Sequence, residues 1–351
     1  MSEASMDIQS AARLARLIEL SRGIHHGIAL GDAADQLTSS ASVRHCGVVT
    51  QLTLATTEGM TRTMERAGRG LGLDWGHENL HALQRWGVSQ GIAGVMPMRG
   101  PESSLLTALP AYGERRGSAP ATVRALRHGP AVVSSAGHTS LGPHALVRTL
   151  PFAVLIALHG PAFTEPLADL VGTTHGHALT APTARAGALL AARASDRTTS
   201  LAEGWSQVLD NHLPADDVLR PRLSAAILAA TTDPQEPDQV KRLAPDRTAV
   251  SVLATAVYVV LSHPKPGEIL LAMGLASFSP DIRSTSSMVG GLLGARWGST
   301  PILQQGAVRH ELAWACDALA TDLALTAMLT PLGREPDGAA WLPSWSRRYE
   351  A

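Results

Sequence analysis

An all-α fold is predicted by three features of this 351-residue sequence. Apolar residues return at helical spacing between turn signals, alanine and leucine dominate those stretches, and alternating strand patterns are scarce. A composition of 45% hydrophobic and 17% charged residues is enough to bury a large core and excludes a chain disordered as a whole. Small residues such as Gly290, Gly291 and Gly294 let helices approach closely, so helix-on-helix packing is the expected architecture.

The elements follow in chain order. Leu14, Leu17 and Ile18 mark a first helical face, and the stretch Ser21 to Asp35, SRGIHHGIALGDAAD, runs on as an apolar helix that ends at a Gly31-Asp32 pair. In CGVVTQLTLATTEGM, from Cys46 to Met60, Val48, Leu52, Ala55 and Gly59 share one helical face. Leu80 and Leu83 are expected to face inward on the next helix, with His77, His81 and Gln84 outward. Pro97 to Pro120 and Thr231 to Arg247 read as loops because of their proline, glycine and charge content. Further helical stretches are GPHALVRTLPFA from Gly142, TTHGHALTAPTARAGALLAARA from Thr173, and SPDIRSTSSMVGGLLGARWG from Ser279. No repeat of about 20–50 residues indicates a solenoid. Residues 1–330 are therefore expected to form one compact single-domain helical bundle, with 331–351 as a C-terminal tail.

Twenty-nine Lys and Arg against 30 Asp and Glu leave a formal charge of -1, so nothing calls for nucleic acid. Lys241 and Lys265 are the only lysines, and the positive charge is otherwise guanidinium, which suits phosphate or carboxylate contacts. Cys46 and Cys316 are too few for a disulfide scaffold or a four-thiolate zinc site, and a reducing cytoplasm fits them best. The N-terminus carries an acidic residue where a signal peptide is basic. The longest apolar run, Ala249 to Leu261, is shorter than the ~20 residues of a membrane span. Neither export nor a membrane partner is expected.

Four of these stretches, in order, resemble the ADP-ribosylglycohydrolase family. The Cys46 segment is similar to that family's Thr-Asp-Asp-Thr segment, with Val48 and Val49 in place of the acidic pair and Thr50 retained. The Gly142 segment is similar to its Gly-Asn-Gly segment with the following Met-Arg and Pro, and the Thr173 segment to its Thr-His-Gly-His helix. The Ser279 segment resembles its Gly-Gly-Asp-x-Asp-Thr turn, with Asp281, Arg283 and Ser284 at the aspartate, aspartate and threonine positions. The resemblance implies an all-α protein that holds two Mg or Mn ions, binds ADP-ribose and cleaves its bond to a modified side chain.

At the matched positions, however, side-chain oxygen remains only on Asp281, Thr50 and Ser284. One carboxylate and two hydroxyls do not offset two divalent ions, so no metal and no other cofactor is expected. Arg283 is expected to replace the metal's charge and to pair with Asp281, with Arg44 or His45 nearby, and to receive a diphosphate or carboxylate. The family's acidic residue after the Gly-Asp turn falls close to Ser39, leaving Asp32 and Asp35 as alternatives, and Asp32 is equally readable as a turn residue. His175 and His177 are expected to serve as hydrogen-bonding groups rather than catalysts.

Three functions stay open on this basis. The first is a pseudo-hydrolase binding ADP-ribose, another small anion or a protein partner in a cleft lined by Asp32, Thr50, Asp281, Arg283 and Ser284. The second is a metal-independent hydrolase or lyase acting on another N- or O-glycoside, with Asp281 or Asp32 as acid or base and Arg283 as electrostatic stabiliser. The third is a structural protein whose cleft is closed by Val48 and Val49. Two other patterns carry chemistry in principle. His77-Glu78-Asn79-Leu80-His81 matches H-E-x-x-H, yet no third zinc ligand stands out and a surface helix is expected. His45-Cys46 are adjacent, and His25-His26 lack a companion ligand, so neither predicts a catalytic pair.

Overall fold

The computed structural model describes residues 8–37, 42–96, 104–128, 139–214, 218–330 and 349. Among these residues the helices are α1 (Ile8–Asp32), α2 (Val48–Gly68), α3 (Trp75–Ser89), α4 (Pro110–Gly113), α5 (Pro120–His128), α6 (His144–Arg148), α7 (Ala153–His159), α8 (Pro166–Gly172) and α9 (Thr180–Ala194). They continue with α10 (Leu201–His212), α11 (Leu219–Thr232), α12 (Pro237–Leu243), α13 (Ala249–Ser262), α14 (Ile269–Ala276), α15 (Ile282–Trp297), α16 (Ser299–Gln304) and α17 (Ala313–Leu329). No strand forms among them, and extended pairing is limited to an isolated parallel bridge between Arg44 and His310. The all-α expectation holds.

The crossing of α1 and α15 organises the bundle. A Cβ on Gly23, Gly27 or Gly31 would stand 2.1, 2.0 and 2.1 Å from the carbonyl oxygens of Gly294, Gly290 and Ser286 respectively. Only hydrogen side chains permit backbones this close, so one row of small residues on each helix sets the crossing. From Gly23 to Asp32 every residue of α1 is buried, and the crossing brings the C-terminal end of α1 beside the start of α15.

Helix α2 is buried from Val48 to Glu65 despite its many threonines. The hydroxyls of Thr53, Thr57, Thr61 and Thr63 donate to the carbonyls of Val49, Thr53, Thr57 and Gly59 at 2.8–2.9 Å, so each finds its partner on the preceding turn. The apolar run from Ala249 becomes α13, capped by the Thr248 hydroxyl accepting from the Ser251 N–H, and is buried along nearly its whole length. Among the described residues no helix is long and apolar enough to cross a membrane.

Two sequence expectations need correction. Both proline-rich breaks contain a short helix, α4 and α12, because Pro110 and Pro237 sit in the first turn, where a missing N–H is harmless. Gln84 is buried rather than outward, since α5 packs on α3 and covers that flank. From the tail, Tyr349 is buried: its hydroxyl donates to Asp322 Oδ2 at 2.7 Å and its carbonyl accepts from Arg62 at 3.2 Å. The position of Ser39 lies outside the described residues.

Candidate functional site

An open cleft of about 670 Å³ lies where the starts of α2, α6 and α15 meet, roofed by the loop before α5 and flanked by His175 and Arg247. Its lining includes Val48, Val49, Asp281, Arg283 and Ser284, so the sequence-predicted residues of two distant segments do converge. Val48 and Val49 form part of the wall without filling the space, and the closed-cleft alternative does not describe this geometry.

Asp32 and Thr50 lie beneath that wall instead of on it. Asp32 is fully buried, and its Oδ2 accepts from both the backbone N–H (2.9 Å) and the hydroxyl (2.8 Å) of Thr50. The carboxyl therefore caps the start of α2 from the neighbouring helix, where the free N–H groups of a helix end need an acceptor. Burial raises its proton affinity above the ordinary carboxylate value, against the two Thr50 donors and the charge of Arg283. Oδ1 is buried without a hydrogen bond among the described residues.

Arg283 does not pair with Asp281. Its guanidinium reaches across to Asp35 Oδ2 at 2.8 Å, on the 3₁₀ turn Ala34–Gln36 that follows α1. Asp281 is the residue preceding α15, and its Oδ1 turns back to accept from the Ser284 N–H at 3.1 Å. A capping side chain folds over its own helix, whereas Arg283 projects away from it, so two residues apart they cannot face each other. Arg44 also leaves the site, donating to the Gly306 carbonyl, while His45 stays on the cleft and meets Glu311 at 3.2 Å.

Three lining residues had no part in the sequence expectation. Arg116 pairs with Glu311, which also accepts from the Cys46 N–H at 2.8 Å. Burial opposes ionisation of Glu311, but the Cys46, His45 and Arg116 contacts together hold its carboxyl below the ordinary value. Arg247 is exposed and has no ion pair among the described residues. His144 opens α6, and burial lowers its proton affinity against the opposing pull of Asp281. Arg116 and Arg247 stand in the proline-rich breaks, where periodicity carries no information, and His144 was visible only as a departure from the glycines of Gly-Asn-Gly.

His175, His177 and Cys46 are engaged in local contacts. His175 Nδ1 meets the Thr174 hydroxyl at 2.7 Å, and His177 Nδ1 accepts from the Leu179 N–H at 3.1 Å. Cys46 is 1% exposed, and burial together with Glu311 pushes its thiol up, away from the thiolate a nucleophile needs. Below the cleft, Arg148 is fully buried and has no carboxylate partner among the described residues. It donates to the Leu170 carbonyl (2.7 Å) and to the hydroxyls of Thr56 and Thr174 (3.0 Å each), and burial lowers its pKa to about 9.

The profile of the family described as ADP-ribosylglycohydrolase matches residues 14–330. The chain belongs to the ADP-ribosylglycohydrolase family. A solved structure titled "ADP-ribosylglycohydrolase-related protein complex" is similar to it with a TM-score of 0.58 at 17% identity, covering 89% of this chain and 99% of that one. That likeness supports the same all-α fold. No curated protein matches the sequence.

For this ADP-ribosylglycohydrolase-family chain the donor set can be tested against the two divalent ions implied by the family. Valine methyl groups occupy the start of α2, Thr50 Oγ1 is engaged with Asp32, one oxygen of Asp281 is taken by a helix cap, and a guanidinium stands at Arg283. Hard divalent cations need several oxygen ligands with carboxylate charge, and a fixed cation nearby repels them. These residues do not fit such a pair of ions.

Proposed function

We propose that this member of the ADP-ribosylglycohydrolase family is a binding protein whose cleft receives ADP-ribose or a chemically similar small anion through guanidinium groups, without metal. The observation that carries this is the replacement of acidic positions by Val48, Val49 and Arg283 around a cleft that stays open at about 670 Å³, a volume suited to one small ligand. Arg116, Arg247 and Arg283 come from three separate segments. Glu311 and Asp35 hold two of them in place, and Arg247 offers an uncommitted charge among the described residues. Planar guanidinium groups pair with phosphate oxygens through two parallel hydrogen bonds, which suits a diphosphate.

Binding is favoured over glycoside chemistry by the position of the acids. Asp32, the carboxyl that burial raises, lies under the wall and touches Thr50 rather than a ligand. Calorimetric titration with ADP-ribose tests the proposal. The expected result is binding that EDTA leaves unchanged and that Arg247→Ala weakens by about thirtyfold, the loss of one charge-assisted hydrogen bond of roughly 2 kcal/mol. Binding that requires Mg²⁺ would overturn the metal-free cleft, and absence of binding in either buffer would shift the search to a protein partner.

A further inference from the structure

In the His77-Glu78-x-x-His81 pattern the structure gathers the two histidines and the motif's own glutamate, Glu78, rather than a ligand from elsewhere in the described chain. Helix α3 starts after Asp74, whose carboxylate accepts from the His77 N–H at 2.8 Å. One helical turn later His81 comes onto the same face, with the two imidazole centroids 4.0 Å apart. One ligand atom from each of His77, Glu78 and His81 lies within 4.8 Å of the other two. The Nε2 atom of His81 is buried and has no hydrogen-bond partner among the described residues, which is costly for a polar atom unless something else satisfies it. We propose that His77, Glu78 and His81 form a three-donor Zn²⁺ site on the first two turns of α3.

The chemistry selects zinc over magnesium, because two imidazole nitrogens and one carboxylate oxygen suit a borderline-soft, four-coordinate ion with water as its fourth ligand. Zinc–ligand bonds of about 2.1 Å put tetrahedral donors roughly 3.4 Å apart, so the three groups must draw together by up to about 1.4 Å. His77 is exposed and free to make that adjustment. His81 also feels the charges of Arg85, Arg66 and Arg62. Those arginines do not leave an unopposed positive field. Arg62 and Arg85 both reach Glu58, at 2.9 and 3.4 Å, and Arg66 meets Glu78 Oε1 at 3.2 Å. The clamp by Arg66 also rules against a peptidase arrangement, in which the glutamate must be free to activate water. None of the three residues lines the cleft, so this site is independent of the proposed ligand.

The test uses full-length, tag-free protein stripped with EDTA and titrated with ZnCl₂, followed by thermal melts. Wild type is expected to take up one Zn²⁺ and to melt at a higher temperature in its presence. His77→Ala, at an exposed position, is expected to fold normally, lose at least about tenfold in Zn²⁺ affinity and lose the thermal shift, and His81→Ala should lose the same affinity. ADP-ribose binding by His77→Ala should match wild type. Failure of wild type to bind Zn²⁺, or equal binding by wild type and both variants, would overturn the proposal.

Discussion

Replacing Gly27 by alanine probes the contact on which both the fold and the cleft depend. The added Cβ would lie 2.0 Å from the Gly290 oxygen, 2.4 Å from its carbonyl carbon and 3.0 Å from the Gly291 nitrogen. Since real Cβ atoms essentially never approach closer than 3.0 Å, α1 and α15 must separate by about 1 Å, the difference between 3.0 and 2.0 Å. The obstacle is backbone, so no side chain can swing aside. Separation also loosens the matching contacts at Gly23 and Gly31, which lie on the same row. Overpacking of this kind costs about 1–3 kcal/mol, and rigid backbone on both sides places it at the upper end. Alanine's better helix propensity returns roughly 0.8 kcal/mol, leaving a net loss of about 2 kcal/mol. The assay is urea unfolding followed by circular dichroism, with a lower midpoint at unchanged slope as the expected result. Gly274→Ala on α14 is the control: nothing lies within 4 Å of its added Cβ, so the same exchange should stabilise by about 0.4–1 kcal/mol. Equal effects at Gly27 and Gly274, or a more stable Gly27→Ala, would refute the close crossing.

Two further outcomes follow from buried charge. Arg148→Ala removes donors from the Leu170 carbonyl and the Thr56 and Thr174 hydroxyls and opens a cavity under the cleft; a loss of about 3–5 kcal/mol is expected in the same urea assay, and a loss below about 1 kcal/mol would contradict the buried network. Asp32 binds its proton more tightly in the folded protein than in the unfolded chain, so the native state holds more protons above the ordinary carboxylate value of about 4, and stability falls as pH rises through that window. Asp32→Asn keeps an acceptor for Thr50 and removes the titration. Melting temperatures from acid to neutral pH should therefore drift down for wild type relative to Asp32→Asn, and an upward drift would mean that the α2 helix end stabilises the anion more than burial destabilises it.

The helical nature of this protein was written locally. Periodic leucines and the proline and glycine breaks each act within a turn or two of chain, so α1, α2 and α15 could be anticipated from neighbouring residues alone. The family motifs were legible for the same reason, each being contiguous, and with them the absence of acids at positions 48 and 49. Small helices inside the proline-rich breaks escaped notice because proline reads as a breaker until its place in a first turn is known.

What the cleft contains was decided by tertiary structure. Arg283 and Asp35 are 248 residues apart, and Arg116 and Glu311 are 195 apart, separations at which no local pattern records a partner. The direction of a side chain also depends on its helix position, so Asp281 and Arg283, adjacent in the motif, diverge because one caps α15 and the other leaves its first turn. Likewise Asp32 became a buried cap when the glycine rows of α1 and α15 brought its helix end under α2. Sequence by itself determined which groups are available and which helices carry them; folding determined which of those groups meet, because pairing is set by distances through space that only the packed helices define.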